Sequence, residues 1–177
     1  MAELVVDLLV KKFKEEEDRT FPSCLTKTLP ISGGNVGGSK NFQSFVNEKV
    51  KMGMAYGLTR KEAEKLVTRY GSNIDKVFEY RKGFDDKSDL PLYVYLQIIY
   101  SIKHEMTTKP IDFFFRRTGT LLFDIHWAKE WKDKVIDIMA SVLKWEPEQK
   151  VLYQNELEKH LNGANTAIDE EADQKVS

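Results

Sequence analysis

The sequence has only one cysteine, Cys24, among its 177 residues, and no apolar run long enough to cross a bilayer. A single cysteine excludes an internal disulfide and is typical of a reducing compartment. Acidic and basic residues nearly cancel, 28 against 27, so the chain lacks the positive charge that draws proteins to nucleic acid or anionic lipid. The amino-terminal stretch also lacks the residue order of a secretion signal. We therefore expect a cytoplasmic protein.

Strand-like alternation is nearly absent, and apolar residues recur instead at the spacing of helices. Hydrophobic residues make up 41% and charged residues 31% of the sequence, as in a globular protein with a charged surface. Residues 90–106 alternate like a strand over their first half, but this run is longer than a typical strand and also fits a helix. The sequence therefore predicts an all-α fold, a compact multi-helix domain.

Composition divides the chain into four parts. Residues 1–19 form an amphipathic helix, and residues 20–40, with two prolines and four glycines, form a linker. Residues 41–162 carry the helical domain. The acidic, aperiodic residues 163–177 are expected to be a disordered tail.

The opening helix has a broad apolar face but no residue that caps its start. This face consists of Leu4, Val5, Leu8, Leu9 and Phe13. A wide apolar stripe with a cut-off start indicates a fragment, in which the helix is detached from its partner surface or swapped onto another chain. A native terminal helix that packs on its own domain fits the pattern equally well.

The glycine-rich loop ISGGNVGGSK, residues 31–40, nearly matches a phosphate-binding P-loop. Gly33 and Gly38 have the required separation, but Lys40 comes one position late. A P-loop also needs a buried parallel strand before it, and none is predicted there. The sequence predicts instead that the glycines allow a connector to turn and to pass close to a neighbouring surface.

No segment supplies a metal site or a catalytic nucleophile. The histidines, His104, His126 and His160, have no cysteine or histidine at ligand spacing. Residues 85–89 imitate the start of a calcium loop but lack its glycine and its final glutamate. Cys24 has no basic or histidine neighbour apart from Lys27, so a nucleophilic role is not expected. We predict no catalytic, cofactor-binding or metal-binding residue in this chain.

Two other function classes remain as alternatives. Residues 57–82 could form a helix-turn-helix with an excess of basic residues, which would make the chain a weak nucleic-acid binder. The second of those helices is short and mixed in charge, so we do not expect nucleic acid as a partner. The other alternative is a stand-alone helical module for protein interaction.

Several stretches carry a resemblance to a known family. They are LPISGGNVGGSKNF, RYGSNIDKVFEY, DLPLYVYLQIIYSIKHEMTTKPIDFFFRRTGTLLF and the helix that begins at Trp127. They resemble the C-terminal domain of bacterial FAD-dependent (aerobic) glycerol-3-phosphate dehydrogenases, from about Met1 to Leu161. The most specific elements are the Glu105-Met106 pair, the Pro110–Phe113 segment and the Arg116–Thr118 segment. The related oxidase branch, which passes electrons to oxygen, shares this domain.

The resemblance implies an intact enzyme that oxidises glycerol 3-phosphate to dihydroxyacetone phosphate. FAD accepts the hydride, and electrons then pass to a membrane quinone, with the enzyme peripheral on the inner face of the membrane. The opening helix resembles the last helix of the FAD-binding domain, whose remainder this chain lacks. The fragment alone is therefore expected to bind no cofactor and to be inactive. Its expected partners are the FAD-binding domain and, through the opening helix, a second copy.

Arg117 falls in the middle of the apolar residues of DFFFRRTGTLLF on an α-helical wheel. A buried guanidinium needs acceptors, so the sequence predicts a structural ion pair with Glu105. Asp124 and backbone carbonyls are the alternative partners. A role for Arg116 and Arg117 in binding the substrate phosphate is the less favoured interpretation.

Overall fold

A computed structural model describes the backbone of residues 2–174 and the side chains of residues 2–163. Within these residues there is no β-strand, so the all-α prediction is confirmed. The helices are α1 (Ala2–Glu17), α2 (Phe42–Ala55), α3 (Arg60–Tyr70), α4 (Ile74–Glu79), α5 (Leu92–His104), α6 (Thr120–Phe123), α7 (Ile125–Leu143) and α8 (Pro147–Gln174). A π-helix covers Asp112–Arg117, and short 3-10 turns cover Ser39–Asn41, Gly71–Asn73 and Tyr80–Gly83.

Helices α2 and α3 are joined by a short turn and pack closely against each other. The Thr59 hydroxyl accepts the Glu62 N–H, and the Glu62 carboxylate accepts the Thr59 N–H, which is a capping box that starts α3. In α2, a Cβ on Gly53 would lie 2.9 Å from the Cβ of Ala63 and 3.0 Å from the Phe78 ring. The glycine thus lets the helices approach closely.

The helical body has two clusters of buried side chains, and α5 contributes to both. Leu96 and Tyr100 pack in the first cluster, with α2, α3 and α4. Val94 and Ile98 pack in the second, with the π-helix, α6, α7 and α8. Because α5 is buried on opposite sides, its apolar residues show the alternation that resembles a strand.

The π-helix puts two consecutive phenylalanines into the second cluster. Phe113 and Phe114 are both fully buried. The N–H of Thr118 bonds to the carbonyl of Phe113 at 2.9 Å, a step of five residues that is characteristic of this wider helix. Side chains therefore rotate less per residue here than on an α-helical wheel.

The glycine loop is bonded to the helical body rather than free. The Gly33 carbonyl accepts the Ser72 N–H at 2.9 Å, and the Ser32 hydroxyl accepts from the Asn73 amide at 2.8 Å. Gly33 and Gly71, with φ of 83° and 52°, face each other so closely that only glycine fits. The second part of the predicted linker therefore lies on the domain that it precedes.

Helix α1 has no buried residue. Leu4 is 72% exposed, and the rest of the apolar face up to Leu9 is at least 47% exposed. Its ordered contacts include the ring of Phe13 against Phe21 at 5.8 Å and an exposed ion pair between Glu3 and Lys27. The assignment of α1 to another domain remains a prediction.

The sequence predicts a disordered tail from residue 163, and this stays a prediction although the last helix runs on into that stretch. Helix α8 continues to Gln174, because this stretch is rich in alanine and glutamate and has no proline that would end a helix. Residues 175–177 of the predicted tail lie outside the described residues. Among the helices described, none combines the length and hydropathy that a membrane span requires.

Candidate functional site

The segment that carries the resemblance folds back so that Arg117 meets the turn after α5. Its Nε lies 3.7 Å from a carboxylate oxygen of Glu105, and its Nη2 donates to the Glu105 carbonyl at 2.5 Å. The same Nε donates to the Thr107 hydroxyl at 3.3 Å. Met106, with φ of 55°, turns the chain so that Glu105 and Thr107 both face the guanidinium.

The prediction that Arg117 is buried is wrong. Its side chain is 35% exposed, and that of Glu105 is 27% exposed. The helical wheel assumed 100° per residue, whereas the π-helix turns less at each residue and moves Arg117 away from the centre of the apolar stripe. That the pair stabilises the domain stays a prediction, since proximity alone does not measure its energy.

Partial burial raises the pKa of the Glu105 carboxyl, and the charges of Arg117 and Arg69 oppose that rise. Desolvation is the larger effect, so the arginine does not fully compensate for removing the carboxylate from water. We therefore expect the pair to add little to stability at neutral pH.

Arg116 makes a separate contact within its own turn. Its Nη1 donates to the Asp112 carboxylate at 2.5 Å, and its side chain is 68% exposed. Asp124, the alternative partner considered for Arg117, instead accepts the Trp127 N–H at 3.2 Å and caps α7. Both arginines are thus engaged by groups of the helical body.

The other candidate groups are dispersed. His104, on the exposed surface, shares a hydrogen bond of 2.9 Å with the Tyr80 hydroxyl. Asp85 closes a turn by accepting the Lys87 N–H, and Cys24 is exposed beside the Thr26 hydroxyl. In the part of the chain with described side chains, no group of three or more histidine, cysteine or acidic residues is placed to hold a metal ion.

A buried polar contact between α3 and α5 is not among the features that the sequence predicts. Gln97 is 1% exposed, and its side-chain carbonyl accepts from Arg69 Nη1 at 2.5 Å. Arg69 Nη2 also reaches the Thr118 carbonyl at 3.5 Å, which links α3 to the end of the π-helix. The signal was a glutamine inside the apolar run YVYLQIIY, because a buried amide requires partners.

A family profile described as the C-terminal domain of alpha-glycerophosphate oxidase matches residues 24–150. The aerobic glycerol-3-phosphate dehydrogenase of Bacillus subtilis is 45% identical over 173 residues, which are 96% of this chain and 31% of that protein. The enzyme of the same name from Staphylococcus epidermidis is 44% identical over 174 residues, or 97% of this chain and 31% of that protein.

A solved structure shows the same helical arrangement. The glycerol-3-phosphate dehydrogenase from Bacillus halodurans, complexed with FAD, superposes with a TM-score of 0.77 and 33% sequence identity. The match covers 88% of this chain and 32% of that one. The present chain therefore spans about a third of the length of the relatives it matches.

Proposed function

The chain belongs to the family of C-terminal domains of alpha-glycerophosphate oxidase, and on that basis we propose that it is the helical C-terminal domain of an FAD-dependent glycerol-3-phosphate dehydrogenase. The whole enzyme would oxidise glycerol 3-phosphate to dihydroxyacetone phosphate and pass the electrons to a quinone. The observation that carries this proposal is 45% identity to the Bacillus subtilis dehydrogenase over nearly the whole chain.

The FAD-binding part belongs, in this proposal, to the two thirds of the relatives that the chain does not match. The described residues contain no parallel strand leading into a helix, which is the unit that binds the pyrophosphate of a dinucleotide. We therefore assign no flavin-binding or catalytic residue to this chain. FAD would supply the hydride acceptor, and the helical body would act as a structural partner of that domain.

We assign residues 1–19 to the FAD-binding domain as its last helix, and residues 20–40 to the connection between domains. Support comes from the exposed apolar face of α1 and from the relatives' similarity, which extends beyond the profile match into this region. In the isolated chain the same face would pair with a second copy, since exposed apolar area favours association.

The remaining assignments concern the cell. We place the protein in the cytoplasm, and the intact enzyme on the inner face of the membrane, where a quinone would be within reach. The single thiol and the balanced charge support the first placement.

A chimeric enzyme tests the proposed function. The 177-residue chain would replace the matching 31% of the Bacillus subtilis dehydrogenase, and glycerol 3-phosphate oxidation would be followed with a quinone analogue. We expect flavin content and activity close to those of the parent enzyme, whereas the parent truncated before this region should lose both.

A matched chimera with Leu4→Glu and Leu8→Glu tests the assignment of α1. Charges on the face that should pack against the FAD-binding domain are expected to lower flavin retention, because they would be buried without partners. The proposal would be wrong if the unmodified chimera folded but bound no flavin.

A further inference from the structure

A cavity of about 470 Å³ opens between α3, α5 and the segment that joins the π-helix to α7. Lys65 and Arg69 line it from α3, and Tyr93 lines it from α5. Phe123 and Trp127 lie on the remaining side. The volume lies in the range of small-molecule pockets, which is roughly 300–1000 Å³.

The two basic side chains that line this cavity form no ion pair with a described carboxylate. Lys65 and Arg69 are one helical turn apart, and neither forms an ion pair with any carboxylate whose side chain is described. Arg69 is nevertheless held in place by the buried Gln97 and the Thr118 carbonyl. Such a fixed guanidinium loses little conformational freedom when it binds an anion.

The single acidic residue in the lining is Asp124, so two cations face one carboxylate there. That carboxylate is already engaged, because it accepts the Trp127 N–H at 3.2 Å as the cap of α7. Among the lining residues alone, the cations therefore outnumber the carboxylates, while Glu105, which does not line the cavity, also lies within electrostatic reach of Arg69.

Two aromatic side chains, Phe123 and Trp127, also line the cavity. The Trp127 ring is half-buried and packs edge-on against Phe114 at 6.2 Å, which fixes its plane. Phe123 is 87% exposed at the rim, where nothing in the described body covers it. Aromatic walls of this kind bind flat rings by stacking.

We propose that this cavity binds a small molecule in which a carboxylate or phosphate group is carried on a flat aromatic body. The anion lies between Lys65 and Arg69, and the ring packs against Trp127 and Phe123. A basic pocket with an aromatic wall suits such a ligand, since each half supplies the contact that the other lacks. The inference does not depend on the proposed enzymatic function.

Isothermal titration calorimetry on the 177-residue chain tests it, with AMP and benzoate as probes of the two anion types. We expect at least one probe to bind. If AMP binds, adenosine and inorganic phosphate, which each lack one half of the ligand, should bind at least about tenfold more weakly than AMP, or about 1.4 kcal/mol. Which probe binds more tightly distinguishes phosphate from carboxylate.

Three variants locate the binding. Lys65→Glu is expected to lower the affinity for the bound probe about tenfold. Phe123→Ala should lower the affinity for AMP but leave the affinity for inorganic phosphate unchanged. Lys76→Glu makes the same charge change on α4, outside the cavity, and should leave binding unchanged. Lys65 and Phe123 are exposed, so both variants should fold normally, as circular dichroism would verify.

Failure of both probes to bind would overturn the proposal, and so would equal losses in the Lys65→Glu and Lys76→Glu variants. Stronger binding of a single-stranded oligonucleotide than of AMP, with affinity falling steeply as salt rises, would also overturn it. That result would instead favour a nucleic-acid surface.

Discussion

At the residue scale, the contact between Gly33 and Gly71 fixes how the amino-terminal connector meets the helical body. A Cβ on Gly71 would lie 2.1 Å from the Gly33 carbonyl oxygen, far inside van der Waals contact. Gly71 also has φ of 52° and ψ of −132°, a conformation that side chains strongly disfavour. This position therefore requires glycine for two independent reasons.

Gly71→Ala is expected to lower the free energy of unfolding by about 2–4 kcal/mol, from backbone strain together with displacement of the loop. Urea unfolding followed by circular dichroism measures the change. Gly57→Ala is the matched control, because Gly57 also has positive φ, 100°, but a Cβ there would meet open space. It should cost only about 1–2 kcal/mol. Equal losses of unfolding free energy in the two variants would show that the close approach of the Gly33 loop adds nothing to the requirement for glycine at position 71.

The Glu105 carboxyl makes stability depend on pH. Its pKa is raised in the folded protein, so the folded state holds the proton more tightly than the unfolded chain does. The free energy of unfolding therefore falls as pH rises from the ordinary pKa of glutamate through the raised one. Arg117 limits this fall because its charge lowers the pKa.

Arg117→Ala should therefore destabilise the protein more at pH 7 than at pH 4. We expect a loss of about 1–2 kcal/mol at pH 7, when Glu105 is ionised and has lost its partner, and a smaller loss at pH 4. Urea unfolding at both values measures this. Arg116→Ala, which removes an exposed contact on the same helix, should cost about 0.5 kcal/mol or less at pH 7. A pH-independent loss for Arg117→Ala would contradict the linkage.

At the element scale, α1 differs from every other long helix in having no buried residue. Its neighbours in space belong largely to residues 21–26, which follow it in the chain. An apolar face with no covering surface contributes little to folding but favours contact with other molecules.

Deleting residues 1–20 is expected to leave the melting temperature nearly unchanged while reducing self-association. Differential scanning calorimetry and sedimentation velocity measure the two quantities. Leu4→Glu with Leu8→Glu serves as a control, because it alters the face without shortening the chain. A loss of several kcal/mol on deletion would show that α1 belongs to the core of the helical body.

The elements differ in how well sequence predicts them. The capping box at Thr59 and Glu62 follows from local chemistry, so the start of α3 was predictable. The π-helix was not, because it depends on burying Phe113 and Phe114 side by side in a tertiary cluster. Because an α-helix was assumed there instead, Arg117 was predicted at the centre of the apolar stripe. The bridge from Arg69 to Gln97 joins residues 28 positions apart, and no local pattern specifies such a pair.

At the scale of the whole molecule, the chain is expected to be colourless and inactive when purified alone. It contains no dinucleotide-binding fingerprint in its sequence, and flavin binding requires one in the proposed family of enzymes. Absorbance in the visible range and glycerol 3-phosphate oxidation measure the two properties. A yellow preparation with about one equivalent of flavin per chain would contradict this prediction and the division of domains behind it.

Helix α5 contributes buried residues to both side-chain clusters, Leu96 to one and Ile98 to the other. If the side chains of either cluster separated, they would expose an apolar face of α5. The same helix also holds the other cluster together, so the two clusters should open together. Backbone amides of α5 should therefore exchange with deuterated solvent only through global opening, whereas those of α1 exchange through local fraying. The molecule would then unfold as one cooperative unit with an independently opening amino-terminal arm.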